Sequence, residues 1–324
     1  MRIAVLDDWQ DTVRTLPCFS LVADHDVDIW TDHTTDVDVL ADRLRETEVL
    51  ALIRERTPIG AELLDRLPKL RMITQVAVFP HIDIEAATRR GVIVSSYLAA
   101  GGGPSYPPAE LTWGLILAAA RRIPQEAAAL KAGVWQAQPM GDGLRGKTLG
   151  IFGYGAVGSV VAGYGAAFGM AVQVWGRPAT LARAQADGYP AAASQRALFR
   201  DCDVVSLHLR LVPETAAIVT AADLAVMKPT ALLVNAARAQ LIEPGALETA
   251  LRVGRPGMAA VDVFEQEPIG GLHPLVAMPN VVATPHIGFL ERDSFNAMFS
   301  LIFDQILAYT AGAPINVHNP QALG

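Results

Sequence analysis

Residues 148 to 158 read TLGIFGYGAVG, an apolar run that passes straight into Gly153, Gly155 and Gly158 and then into the small-residue stretch AVGSVVAGYGAAFG. Few folds suit such a stretch. Gly153 permits a tight turn, Gly155 lets the backbone approach a pyrophosphate, and Gly158 allows a helix to pack closely on the preceding strand. The amides around Ala156 and Val157 would then face phosphates at a helix N-terminus. A G-x-G-x-x-G pattern alone is weak, and a bare glycine turn is the competing reading. The complete strand-helix-strand context favours a dinucleotide site.

The rest of the chain keeps the same rhythm. RIAVLDD, VDIWTDH, EVLALIRERT and LRMITQVAV alternate with helical segments such as TDVDVLADRLRE and GAELLDRLPK. A second series, TLGIFG, AVQVWG, DVVSLH, ALLVNA, GMAAVDVF and NVVATP, begins after the Gly/Pro-rich AAGGGPSYPP and a long helical segment from Ala109 to about Lys131. Alternation of this kind predicts α/β architecture with parallel sheets. The 324 residues, 51% hydrophobic and 18% charged, are enough for two domains. A last helix is expected over 291 to 312, returning to the first domain.

Composition narrows the function classes. A net charge of -7 and a pI near 5.5 argue against a basic grip on nucleic acid. Cys18 and Cys202 stand far apart in no metal or redox spacing, so a reducing compartment is expected, by default the cytoplasm. The N-terminus does not read as a signal peptide. The apolar run at 111 to 120 is about half the length of a membrane span, so no membrane association is expected. Asp24, Asp26 and Asp28 alternate as a calcium loop would begin, but Ile29 and Thr35 occupy the required Gly and Glu positions. No metal is expected.

The strand after the glycine turn ends in VQVWGRP, where an acid usually holds the adenosine ribose. Gly176 removes that acid and Arg177 offers a charge-assisted contact to a 2′-phosphate. The pair predicts NADP (as NADPH) as preferred cofactor, with NAD possible should Arg177 merely stack on adenine or point to solvent.

Three later strand ends carry Arg238, Glu267 and His286. Reduction of a 2-oxo acid needs a cation for the carboxylate and carbonyl and an acid for the new alkoxide. Arg238 and His286 supply them, and a neighbouring Glu267 would stabilise the imidazolium. Each residue alone has a structural reading, as surface cation, turn acid or strand-end cap.

With SLHLRLVPET, MKPTALLVNAARAQLIEPGAL, VDVFEQEP and TPHIG following the glycine turn in order, the chain resembles the D-isomer-specific 2-hydroxyacid dehydrogenases over nearly its whole length. The resemblance implies Arg238, Glu267 and His286 as catalytic trio and Asp262 near the nicotinamide amide. It also implies further cofactor contacts at His208, Thr215, Ala236 and Gly288. Two Rossmann-like or flavodoxin-like doubly wound domains are implied, with the active site in the cleft between them. The substrate domain would comprise residues 1–99 and 292–324, the dinucleotide-binding domain 100–291, with crossings near 100 and 291. A homodimer formed through the cofactor domain is implied as well.

Some positions depart from the family. Its usual Gly-containing loop for the substrate carboxylate reads QVAVFPHID here, leaving the amides of Ala77 and Val78 as donors beside Phe79 and Pro80. Arg54 stands where a residue touching the far end of the substrate is implied, and a salt bridge with Glu55 is its competing reading. Arg210 adds a cation where Pro is common, and NAAR replaces a hydroxyl-containing form. With the chain ending at Gly324, feedback control by serine is not expected. The expected activity is reduction of glyoxylate or hydroxypyruvate. A phosphoglycerate dehydrogenase-like enzyme and a non-catalytic NAD(P)H-sensing protein are the alternatives.

Overall fold

The computed structural model describes residues 1–98, 103–271 and 273–323. The chain divides into two compact units, Met1–Gly101 with Glu291–Gly324, and Gly102–Leu290. The crossing expected near residue 100 lies outside the described residues.

In the first unit, β1 (Arg2–Val5), β2 (Asp26–Ile29), α1 (Val37–Leu44), β3 (Val49–Ala51), α2 (Ala61–Asp65), β4 (Met72–Val76), α3 (Ile84–Arg89) and β5 (Ile93–Tyr97) follow one another. Their strands form one parallel sheet in the order β2-β1-β3-β4-β5. The acidic run around β2 is structural. Asp36 caps α1 by accepting the amides of Asp38 and Val39 at 2.9 and 3.1 Å, and Arg43 pairs with Asp32 while lying over the Trp30 ring. β5 is absent from the expected strand series because Ser95 and Ser96 interrupt its apolar run. Both serines are nonetheless buried.

The second unit contains α4 (Tyr106–Ala120), α5 (Ile123–Lys131), β6 (Thr148–Phe152), α6 (Gly158–Ala167), β7 (Ala171–Trp175), α7 (Pro178–Ala186), α8 (Gln195–Asp201) and β8 (Val204–Leu207). It continues with α9 (Ala221–Ala225), β9 (Leu232–Asn235), α10 (Ala246–Val253), β10 (Met258–Val261), α11 (Pro274–Ala277) and β11 (Val281–Ala283). The single helix expected over 109 to 131 is broken in two. Arg122 adopts a left-handed backbone, φ 54°, and Pro124 opens the first turn of α5, where its missing amide breaks no helical bond. The last helix, α12 (Arg292–Thr310), packs on β4 and β5 of the first unit.

All six strands of the second unit are parallel, in the order β11-β10-β9-β8-β6-β7. Along β6, Leu149 and Ile151 enter one core with Trp113, Ile116 and Val161, and Phe152 enters the other with Phe199 and Leu207. Burial on both faces explains why these strands read as continuous apolar runs. The strand order reverses between β6 and β8, and the carboxyl ends there are where open α/β sheets hold ligands.

Candidate active site

The glycine turn sits at that reversal. Gly153 has φ 96°, and a Cβ on it would stand 2.8 Å from the His208 carbonyl oxygen; one on Gly158 would stand 2.1 Å from the Gly153 oxygen. Packing within the protein therefore demands these two glycines. Gly155 differs, since a Cβ there would meet no atom within 4 Å and would project into open space at the mouth of the turn. Such bareness at the N-terminus of α6 fits a cradle for pyrophosphate.

A residue not singled out by sequence also ties the turn to α7. The Arg183 guanidinium on α7 donates to the Tyr154 carbonyl at 2.6 Å. In a trans peptide the N–H points opposite to the C=O, so the Gly155 amide is directed away from Arg183. Tyr154 is itself fixed by its hydroxyl, which donates to Asp187 at 2.7 Å; burial and that bond push its phenol well above the ordinary range.

At the end of β7 no acid is present. Gly176 is followed by the exposed Arg177, which precedes the first turn of α7. The Thr215 hydroxyl donates to the Arg210 carbonyl at 2.7 Å and accepts the Val212 amide at 2.9 Å, closing the turn after β8. His208 bonds through Nε2 to the Ser206 hydroxyl at 2.9 Å, and burial pushes its pKa down to about 4. At neutral pH this imidazole is uncharged.

The trio stands on three neighbouring strand ends. β9 closes on Asn235, 1% exposed, whose side chain accepts the Ala237 amide at 3.1 Å and donates to the Arg238 carbonyl at 2.9 Å. It thus shapes the Ala236–Arg238 turn, and Arg238 adds a bond from its guanidinium to the Ala237 carbonyl at 2.7 Å. Next to it, β10 leads into Asp262, whose amide donates to the Asn235 carbonyl at 3.0 Å.

Asp262 is fully buried and holds the loop after β11. Its carboxylate accepts the Thr284 hydroxyl at 2.6 Å and the amides of Ile287 and Gly288, both at 2.9 Å. Burial pushes its pKa up against the opposing effect of those bonds and of His286. Inside the anchored loop, His286 takes a left-handed backbone, φ 51°, uncommon for residues other than glycine though less so for histidine than for most. Asn235 and Asp262 escape sequence reading as positioning groups; the only signal is a polar residue closing each apolar run.

Glu267 joins the two loops. One carboxylate oxygen accepts the Phe264 amide at 2.8 Å, and the other lies 2.5 Å from His286 Nδ1. Burial raises the carboxyl, yet the His286 bond and charge, the Phe264 amide and the Arg238 charge outweigh it and hold Glu267 below its ordinary value. With Nδ1 engaged, Nε2 is the ring atom left to exchange a proton.

The substrate-contact candidates Arg54, Ala77 and Val78 lie in the first unit. Arg54 has φ 59° and approaches Glu55 at 3.8 Å, the ion pair of its competing reading. Ala77 requires a correction. Its amide donates to the Tyr97 carbonyl at 3.0 Å and so is not a substrate donor. At φ 95° Ala77 takes a backbone form that favours glycine, which leaves Val78 as the expected donor of the pair.

Comparisons with known proteins agree with this geometry. The profile of the D-isomer specific 2-hydroxyacid dehydrogenase NAD binding domain matches residues 113–288, more than half of the chain. A glyoxylate reductase of Aeropyrum pernix is 39% identical over 278 residues, covering 82% of this chain and 81% of that one. A D-3-phosphoglycerate dehydrogenase of Methanocaldococcus jannaschii is 37% identical across 79% of this chain, which spans 48% of that protein. The crystal structure of a proposed D-3-phosphoglycerate dehydrogenase oxidoreductase from Ralstonia solanacearum is 51% identical and superposes with a TM-score of 0.94, covering 100% of this chain and 98% of that one. Two parallel α/β units, a glycine turn at the strand reversal and the matched sequence together identify the chain as a member of the D-isomer specific 2-hydroxyacid dehydrogenase family, oxidoreductases of CH–OH groups that bind NAD.

Proposed function

We propose that the protein is an NADP-preferring reductase of small 2-oxo acids, of the glyoxylate or hydroxypyruvate type, yielding D-2-hydroxy acids. The observation that carries this reading is the Glu267–His286 pair at 2.5 Å. When bound, the reduced nicotinamide supplies a hydride to the substrate carbonyl carbon. His286 Nε2–H delivers the proton to the carbonyl oxygen, and Glu267 stabilises the ring's charge through Nδ1. Arg238 holds the carboxylate and polarises the carbonyl. In the oxidative direction the same nitrogen takes the hydroxyl proton.

Residues 1–99 and 292–324 serve as substrate domain and 100–291 as cofactor domain. The Gly153-Gly155-Ala156-Val157-Gly158 turn holds the pyrophosphate, with Gly176 and Arg177 at the 2′-phosphate. His208, Thr215, Ala236, Asp262 and Gly288 border the cofactor. Similarity to a glyoxylate reductase of matching length supports the substrate reading. Exposed apolar side chains on and after α5, with Leu130 58%, Trp135 77% and Met140 97% exposed, support a homodimer formed through this unit. Both cysteines are free and buried, which supports a reducing, cytoplasmic setting.

Initial rates with glyoxylate, hydroxypyruvate and phosphohydroxypyruvate, each with NADPH and NADH, test the reading in wild type and His286→Ala. NADPH-dependent turnover lost in the variant is the expected result. Preference for the phosphorylated substrate would favour a phosphoglycerate dehydrogenase, and tight nucleotide binding without turnover a sensor.

A further inference from the structure

Gln75, the penultimate residue of β4, is wholly buried, an unusual place for an uncharged amide unless it has work in hydrogen bonding. Its side-chain nitrogen donates to two consecutive carbonyls, Ala77 at 3.2 Å and Val78 at 2.8 Å. The Ser96 hydroxyl, on the neighbouring strand β5 and also buried, donates to the same Ala77 carbonyl at 2.5 Å. The Ala77 amide is tied to Tyr97, so the peptide before the turn is held by β5 and the two peptides after it by Gln75 and Ser96.

These bonds set a direction. Both carbonyls are drawn toward the buried side chains, and in a trans peptide the N–H of the next residue points the opposite way. The amides of Val78 and Phe79 are therefore turned outward side by side, at a loop where Val78 is 50% exposed. Two successive outward amides form an anion-binding concavity. The left-handed backbone of Ala77, φ 95°, is what lets the chain reverse so that both carbonyls reach one amide group.

Resting on the 2-oxo acid reading above, we infer that Gln75, assisted by Ser96, is a positioning residue that aims the Val78 and Phe79 amides at the substrate carboxylate. A buried side-chain clamp thereby performs what a glycine-shaped loop would otherwise do by conformation alone. The carboxylate is then held by Val78 and Phe79, and the Ala77 amide takes no part.

The test uses the full-length protein with NADPH and the best 2-oxo acid found above. Gln75→Met removes the donor at similar volume, and Ser96→Ala removes one of the two bonds to the Ala77 carbonyl. Loss of an aimed charge-assisted bond is expected to raise KM for the 2-oxo acid about tenfold or more in Gln75→Met and less in Ser96→Ala. NADPH affinity should stay near wild type while Tm falls by only the few degrees that losing buried hydrogen bonds costs, and oxamate, a carboxylate-bearing substrate mimic, should lose inhibition in parallel. Unchanged KM in both variants overturns the inference. So does a fall in Tm and NADPH affinity that matches the kinetic loss, since that marks a general structural role. Absence of 2-oxo acid turnover in the wild type would instead overturn the functional reading on which it rests. Should Gln75→Met fail to fold, Ser96→Ala alone decides by the same criteria.

Discussion

Glu267 reaches His286 from a different loop, 19 residues earlier in the chain, and places one carboxylate oxygen 2.5 Å from Nδ1 while the other accepts the Phe264 amide. The imidazole is fixed in orientation and tautomer by a group that is fixed itself. That leaves Nε2 as the ring nitrogen available for the proposed proton transfer.

Removing either member should therefore separate chemistry from binding. His286→Ala is expected to lower kcat about 100- to 10,000-fold and Glu267→Gln by about tenfold or more, with NADPH affinity unchanged in both. Steady-state kinetics with nucleotide titration provide the check.

The lowered Glu267 value also has a pH signature. A carboxyl depressed in the fold contributes stability above its unfolded pKa and loses it as pH falls through the folded value. Urea unfolding of wild type from pH 6 downward should show that loss below about pH 4, the ordinary carboxylate range. Glu267→Gln should lack this component.

His208 has the opposite charge logic. Its folded pKa is lowered from 6.5 to about 4, so as pH falls through 6.5 the unfolded chain takes up a proton that the folded chain refuses. Destabilisation accrues between those two values, approaching about 3 kcal/mol, and is flat below them. His208→Gln should remove this dependence in the same unfolding series.

Arg177 stands at the end of β7 where no acid opposes a 2′-phosphate. Arg177→Ala should raise KM for NADPH about tenfold and leave KM for NADH within about twofold. Equal effects on the two cofactors would assign Arg177 to adenine or to solvent.

Asp262 accepts three hydrogen bonds from the His286 loop, two of them from the successive amides of Ile287 and Gly288. Asp262→Asn sets an NH2 group against one of those donors. A loss of about 1–3 kcal/mol in stability together with a fall in kcat is expected. Differential scanning calorimetry alongside kinetics measures both.

Much of the fold was legible from short-range pattern. All six strands of the second unit, the glycine turn and the three strand ends bearing Arg238, Glu267 and His286 follow from runs a few residues long, because strand burial and turn geometry act locally. β5 was hidden because buried Ser95 and Ser96 look like an interruption. The break at Arg122 was hidden because an arginine in a left-handed backbone leaves no mark in composition. The sequence by itself determined the parallel α/β architecture and the glycine turn, and it named the candidate reacting groups. Only the tertiary structure decided which groups are aimed and by what. Gln75, Asn235 and Asp262 act through hydrogen bonds inside the fold, and a polar residue acquires that role only once burial removes water as its alternative partner. The same cause excluded the Ala77 amide: its partner, the Tyr97 carbonyl, arrives from a strand 20 residues away.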